Sequence, residues 1–309
     1  HAVRLASKPA ENPFLAELNK LNASFRTGLA RVTGAYDHRE PLAFTILDAA
    51  HVDLAPLWTA HLSRLGVRQQ LAVAVDDQAA AAVEHGTLPA VNLVGEPLGV
   101  KRKNRKQGLE SDLTSARFLV PMLLLQMGFD RVVFSDAALF VRANPLPLLE
   151  HAEPWSLSSC AKGAEGGTAM ELVAVGGATG GCLGSALVQY RGARAAEALG
   201  GFLRAWWSNP RRVVRSCHDL SDFDSYLRGT DLVAGVVGSF ESDVERMQAN
   251  IPVISFAGAS REMRLWVLRK LYTNETADAR ELVAAFRSSD QEHKYQDDVA
   301  GVRMCEPQR

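Results

Sequence analysis

Three short apolar runs of this chain end in carboxylates. Asp48 follows Leu42–Leu47, Asp76 and Asp77 follow Leu71–Val75, and Asp136 follows Arg131–Ser135. Carboxylates are hard oxygen ligands for Mn²⁺ or Mg²⁺ and accept hydrogen bonds from hydroxyl groups. Asp222 and Asp224 stand near a predicted helix start. Acids there serve as caps, and they are also placed to meet a hydroxylated acceptor. Lys101, Arg102, Lys103, Arg105 and Lys106 crowd into one basic stretch. That stretch reads either as a solvated loop or as a mobile loop near a diphosphate.

The elements that must position these groups follow from periodicity. Leu42–Leu47, Leu71–Val75, Ala90–Val94 and Arg131–Ser135 read as buried strands. Between them, Leu54–Leu65 is helical and stops at Gly66, an Ala-rich helix stops at Gly86, and Asp112–Met127 is a helix closed by Gly128. The apolar run Phe118–Leu125 contains Pro121 and reads as buried helix rather than a membrane span. Strand and helix alternating at this spacing predict an α/β fold, a mostly parallel sheet covered on both faces. Ligands bind such sheets at the carboxyl ends of the strands, so Asp48, Asp76 and Asp136 should gather on one edge.

The second half is less regular. Ser156–Ser159 and Leu172–Ala174 read as strands, Leu183–Tyr190 as a strand or a helix start, and Arg194–Trp207, His218–Leu227 and Arg264–Leu271 as helices. Asn144-Pro145 is expected to break the chain. Residues 1–40 read as a helical N-terminal arm, 41–287 as one domain and 288–309 as a polar tail.

Composition excludes some functions. With a formal net charge of -1 over 309 residues, the chain lacks the basic face that nucleic-acid binding needs. It begins at His1, so a removed leader or signal anchor is expected, and a membrane is expected only through such an anchor. Sequons at Asn22 and Asn274 lend modest support to the secretory pathway, with the Golgi lumen as the expected compartment. Cys160, Cys182, Cys217 and Cys305 are too scattered for a zinc site; disulfides and buried thiols both remain open. The run Val173–Gly184 is rich in glycine and suggests a short-chain dehydrogenase loop binding NAD(P). Against that, the run lies after the first strand-helix units, no acid stands at the end of a following strand because the stretch about 20 residues on is the helix holding Trp206-Trp207, and no tyrosine has lysine four positions later.

Val132-Val133-Phe134-Ser135-Asp136-Ala137-Ala138, continuing to Arg142 and Asn144-Pro145, is the most specific segment. It resembles the nucleotide-diphospho-sugar transferase family of GT-A type that includes plant and algal arabinosyl-, xylosyl- and galactosyltransferases. Their pattern is an apolar strand, Ser/Thr-Asp-x-Asp, an apolar run, a basic residue and Asn/Asp-Pro. Leu71–Gln78, Ala116–Phe129, Gly181–Gly184 with the helix after it, and Ser221–Leu227 resemble further family segments in the same order.

The resemblance implies a GT-A-like fold and transfer of a sugar, expected to be uridine-diphosphate-linked, to a glycan or glycoprotein hydroxyl. It implies Asp48, Asp76, Asp77, Arg117, Asp136 and Gly184 as donor-binding residues, Asp222 and Asp224 as catalytic residues near the acceptor, and Asp136 as ligand to Mn²⁺ or Mg²⁺. Two departures stand out. Ala138 occupies the second carboxylate position, and Ile254-Ser255-Phe256-Ala257-Gly258-Ala259, where the family has a histidine, has none. Three readings stay open: a metal on one carboxylate, basic groups in place of the metal, or a pseudoenzyme that keeps the fold and binds a glycan or partner.

Overall fold

The computed structural model describes residues 25–84, 89–92, 105–156, 161–162, 170–176, 187–207, 223, 226–227, 229–230, 232–239, 253–256, 261–274 and 277–288. Helix α1 covers residues 25–33. The elements that follow are β1 (Leu42–Leu47), a 3₁₀ turn (Val52–Leu54), α2 (Ala55–Arg64), β2 (Gln69–Ala74), α3 (Asp77–Glu84) and β3 (Ala90–Asn92). Next come α4 (Arg105–Gln126), β4 (Arg131–Ser135), β5 (Leu139–Val141), α5 (Pro145–Glu150), β6 (Glu153–Ser156), β7 (Ala161–Lys162) and β8 (Leu172–Gly176). The chain continues through β9 (Leu187–Arg191), α6 (Gly192–Trp207), β10 (Ala234–Ser239), β11 (Val253–Ser255), α7 (Arg261–Thr273) and α8 (Ala279–Ser288).

Nine of the described strands form one sheet in the order β3-β2-β1-β4-β9-β8-β10-β6-β7. The β3-β2, β2-β1, β1-β4 and β8-β10 pairs are parallel, whereas β9 is antiparallel to β4 and β8, and β6 to β10 and β7. All strands but β9 and β6 therefore point the same way. The sheet is mostly parallel and helices flank both faces, as the alternation of elements predicted.

Pleating divides the side chains between two cores. Phe44, Ile46, Leu71, Val73, Val132 and Phe134 face one way, into a cluster with Phe25 and Leu29 of α1, Phe118 and Leu123 of α4, and Leu199 and Phe202 of α6. Ala43, Val133, Val173 and Leu187 face the other way, against Trp58 and Leu62 of α2. Beyond the strand ends, Leu47 and Ala74 join Phe140, Ile254 and Phe256 under Val267, Leu268 and Leu271 of α7 and Phe286 of α8. Glycines take positive φ where the chain reverses after a helix: Gly66 (φ 86) closes α2 and Gly128 (φ 98) closes α4.

Several boundaries move relative to the sequence reading. Helix α4 starts at Arg105, so Arg105 and Lys106 belong to its first turn and not to a loop. Arg, Lys, Gln, Leu and Glu are strong helix formers, and Gly108 alone does not halt them. Asn144-Pro145, expected only to break the chain, starts a helix: the Asn144 side chain accepts from Leu146 N at 3.0 Å, and Pro145 fits a first helical turn. The strand expected at Ser156–Ser159 lies at Glu153–Ser156, and the ambiguous Leu183–Tyr190 resolves as β9. Residues 1–24 and 289–309, most of the arm and tail, lie outside the described residues, as do all four cysteines. Among the described residues no helix is long and apolar enough to cross a membrane.

Candidate active site at the carboxyl edge of the sheet

Strands β2, β1 and β4 are neighbours and parallel, so their carboxyl ends share one edge. Asp76, Asp48 and Asp136 stand there. Strand β8 ends at this edge, and β9, running the other way, begins at it. Gly176 and Leu187, which flank the glycine-rich segment, are thus brought to the same edge. Gly184 itself lies outside the described residues.

Each acid is engaged by backbone. Asp76 accepts from Ala79 N at 2.8 Å, capping α3, and from Ala49 N at 2.6 Å, tying the end of β2 to the end of β1. Asp77 is an exposed first-turn residue of α3. Asp48 is buried and accepts from Ala50 N at 3.0 Å and His51 N at 2.9 Å, with His51 Nδ1 at 2.5 Å. Burial works to raise the Asp48 pKa, but the hydrogen bonds from the His51 side chain and from the backbone outweigh it, and the carboxyl titrates below its usual range.

His51 was not singled out by sequence, although its spacing three residues after Asp48 was visible. Its Nε2 lies 2.7 Å from Arg264 Nη1 on α7. A guanidinium only donates, so Nε2 must accept; the imidazole proton sits on Nδ1 and points at Asp48. The line Asp48–His51–Arg264 pins α7 to the end of β1.

Asp136 differs in its partners. Its Oδ1 accepts from Ala138 N at 2.9 Å, while Oδ2 meets Arg117 Nη2 at 3.4 Å. The Arg117 guanidinium also lies over the Phe134 ring, 4.8 Å from its centroid. From Arg117 to Gln126 helix α4 rises roughly 14 Å, and β4 extends about 16 Å, so Arg117 stands level with the strand end. The helical residues before Arg117, with Arg105 and Lys106 roughly 18 Å away along the axis, rise past the sheet edge. Lys101, Arg102 and Lys103 lie outside the described residues.

Asp222 and Asp224 also lie outside them, but the residue between them does not. Phe223 is buried, 4.5 Å from the Phe118 ring and 5.0 Å from the Phe202 ring. Phe223 is therefore packed beside Phe118, the neighbour of Arg117 on α4.

A second strand reaches the edge through β5. Its partner β11 is antiparallel, with Ser255 opposite Leu139, and Phe256 N donates to Ala138 O at 3.1 Å. His61 on α2 holds the far end of β5: it is buried, and its Nε2 donates to Val141 O at 2.6 Å. Trp58 Nε1 donates to Ser135 Oγ at 3.2 Å beneath Asp136. Both α2 side chains are structural supports of the Ser135–Val141 segment.

The solved structures that match include glycosyltransferases. The apo structure of the bifunctional glycosyltransferase WbbM matches with a TM-score of 0.47 and 10% identity over 85% of this chain and 52% of that one. This chain thus spans about half the length of WbbM. The galactosyltransferase LgtC, in complex with donor and acceptor sugar analogs, matches with a TM-score of 0.43 and 12% identity over 82% of this chain and 98% of that one. No family model matches the sequence, and no curated protein matches it.

The described residues fit a divalent ion poorly. Mg²⁺ and Mn²⁺ seek several hard oxygen ligands. Asp136 offers one carboxylate, already facing a guanidinium. Ala138 is 1% exposed and lies in the apolar cluster with Phe140, Ile254 and Phe256. Among the described residues no group of three or more His, Cys, Asp and Glu is arranged to hold a metal ion.

Proposed function

We propose that the protein is a glycosyltransferase that binds a nucleotide-diphosphate sugar, uridine-linked, across the ends of β2, β1 and β4. The observation that carries this reading is the gathering of Asp76, Asp48 and Asp136 at one parallel-sheet edge, with Arg117 beside the last of them. Such an edge is where α/β sheets bind ligands, and the segment around Asp136 is the one that resembles the nucleotide-sugar transferases.

In this reading the nucleoside lies over Asp48 and the Asp76–Asp77 turn, whose oxygens keep lone pairs for ribose hydroxyls. The diphosphate lies toward Asp136 and Arg117. Transfer breaks the bond between the anomeric carbon and the diphosphate oxygen, which leaves with the electron pair. An acceptor hydroxyl of a glycan or glycoprotein forms the new bond to the anomeric carbon and gives up its proton to Asp222 or Asp224, the carboxylates assigned to that side.

Unfolding followed with and without uridine diphosphate tests the proposal. Ligand at about 100 times its Kd adds roughly 2.7 kcal/mol. We expect a raised midpoint with the diphosphate and a smaller shift with uridine alone. An unchanged midpoint with uridine, guanosine and cytidine diphosphates alike would remove the donor site and with it the function.

A further inference from the structure

Any leaving diphosphate carries at least two negative charges, so a donor site needs a resident cation. At this edge the ordinary solution, a divalent ion between two carboxylates, meets obstacles in the chain itself. The second position is Ala138, packed among Phe140, Ile254 and Phe256, and its carbonyl is taken by Phe256 N. The facing strand β11 presents Val253, Ile254 and Ser255, with no carboxylate or imidazole among them.

What stands at Asp136 instead is already a cation. Arg117 comes from the helix on the opposite side of β4 from Ala138's cluster, with Nη2 at 3.4 Å from Oδ2. The Phe134 ring supports its guanidinium from below. Both charged side chains keep part of their surface in solvent, 25% for Arg117 and 19% for Asp136, so the pair is open to an incoming ligand. A guanidinium has five donors arranged in a fork that matches phosphate oxygens, and one long bond to Asp136 does not exhaust it.

We propose that this site binds the donor diphosphate without a divalent metal, with Arg117 as its resident cation and Asp136 as the residue that positions Arg117. The inference rests on the nucleotide-sugar reading above and specifies how that site meets the charge of its ligand. Asp136 then orients a guanidinium where the family resemblance would have it ligate a metal.

Calorimetric titration of the full chain with uridine diphosphate, in EDTA and in Mn²⁺, separates the two ideas. Binding in EDTA should match binding in Mn²⁺ within about twofold, well under the tenfold that 1.4 kcal/mol represents. Arg117→Gln should weaken binding in EDTA by about tenfold or more, the size expected for a lost charge-assisted hydrogen bond, and Arg117→Lys by less. Unfolding midpoints without ligand confirm that the variants fold, and the EDTA comparison on the unaltered protein needs no variant. Binding that requires Mn²⁺ overturns the inference and leaves the donor site standing. Unaltered affinity in a folded Arg117→Gln also overturns it. Binding in neither buffer overturns both.

Discussion

Ala138→Asp, which restores the second carboxylate of the Asp-x-Asp pattern, is expected to destabilise the protein by about 3–5 kcal/mol, the size of an uncompensated buried charge. Residue 138 is 1% exposed and sits against Phe140, Ile254 and Phe256 under α7. A carboxylate there leaves water without gaining a partner, because the adjacent Ala138 N–H already serves Asp136 and the adjacent carbonyl serves Phe256. Burial would raise the pKa of the new group above its value of about 3.9 in the unfolded chain. The variant's deficit relative to the parent is therefore smallest at low pH and grows as pH rises toward that raised pKa. Urea unfolding of both proteins between pH 4 and pH 8, with and without Mn²⁺, reads the effect. A variant as stable as the parent that gains Mn²⁺ binding would show that position 138 opens into the site.

Asp76→Ala is expected to cost about 2–3 kcal/mol, from a lost helix cap and a second stranded N–H. Both of its carboxylate oxygens are committed, one to Ala79 N at the start of α3 and one to Ala49 N at the end of β1. An asparagine side chain keeps a single acceptor oxygen, so Asp76→Asn should recover roughly half of the loss. The urea midpoint measures both variants. If Asp76→Ala were to keep the parent's stability and lose only nucleotide affinity, Asp76 would be a ligand contact and not a brace of the edge.

The edge itself was legible because parallel buried strands announce themselves as uninterrupted apolar runs. Leu42–Leu47 and Arg131–Ser135 emerge with the expected bounds, and Gly66 and Gly128 end their helices at positive φ. The start of β2 was obscured by Gln69 and Gln70, polar yet buried. Their amide nitrogens donate to partners elsewhere, Gln69 to Asp37 O and Glu40 O and Gln70 to Val67 O and Ser63 Oγ, which apolar periodicity does not register.

What stayed hidden in the candidate site is long-range. The β5-β11 ribbon joins two three-residue strands more than a hundred positions apart, and the His51–Arg264 contact spans 213. The reversal of β9 cannot be read from periodicity, because either direction buries the same alternate residues. The pairing of Arg117 with Asp136 needed the level of α4 against β4. Composition offered a different cationic candidate, the basic stretch from Lys101 to Lys106, and its two described members lie about three turns from Arg117 along α4.

The central claim is that a nucleotide diphosphate lies across the ends of β2, β1 and β4, and hydrogen exchange with and without uridine diphosphate tests it most directly. Amides at the ends of parallel strands and the turns after them should slow when ligand covers them. The account predicts added protection in peptides covering Leu47–Val52, Val75–Ala79 and Ser135–Leu139. Protection confined to other segments, such as the groove between α1, α3 and β3 lined by Gly28, Val83 and Val91, would contradict it.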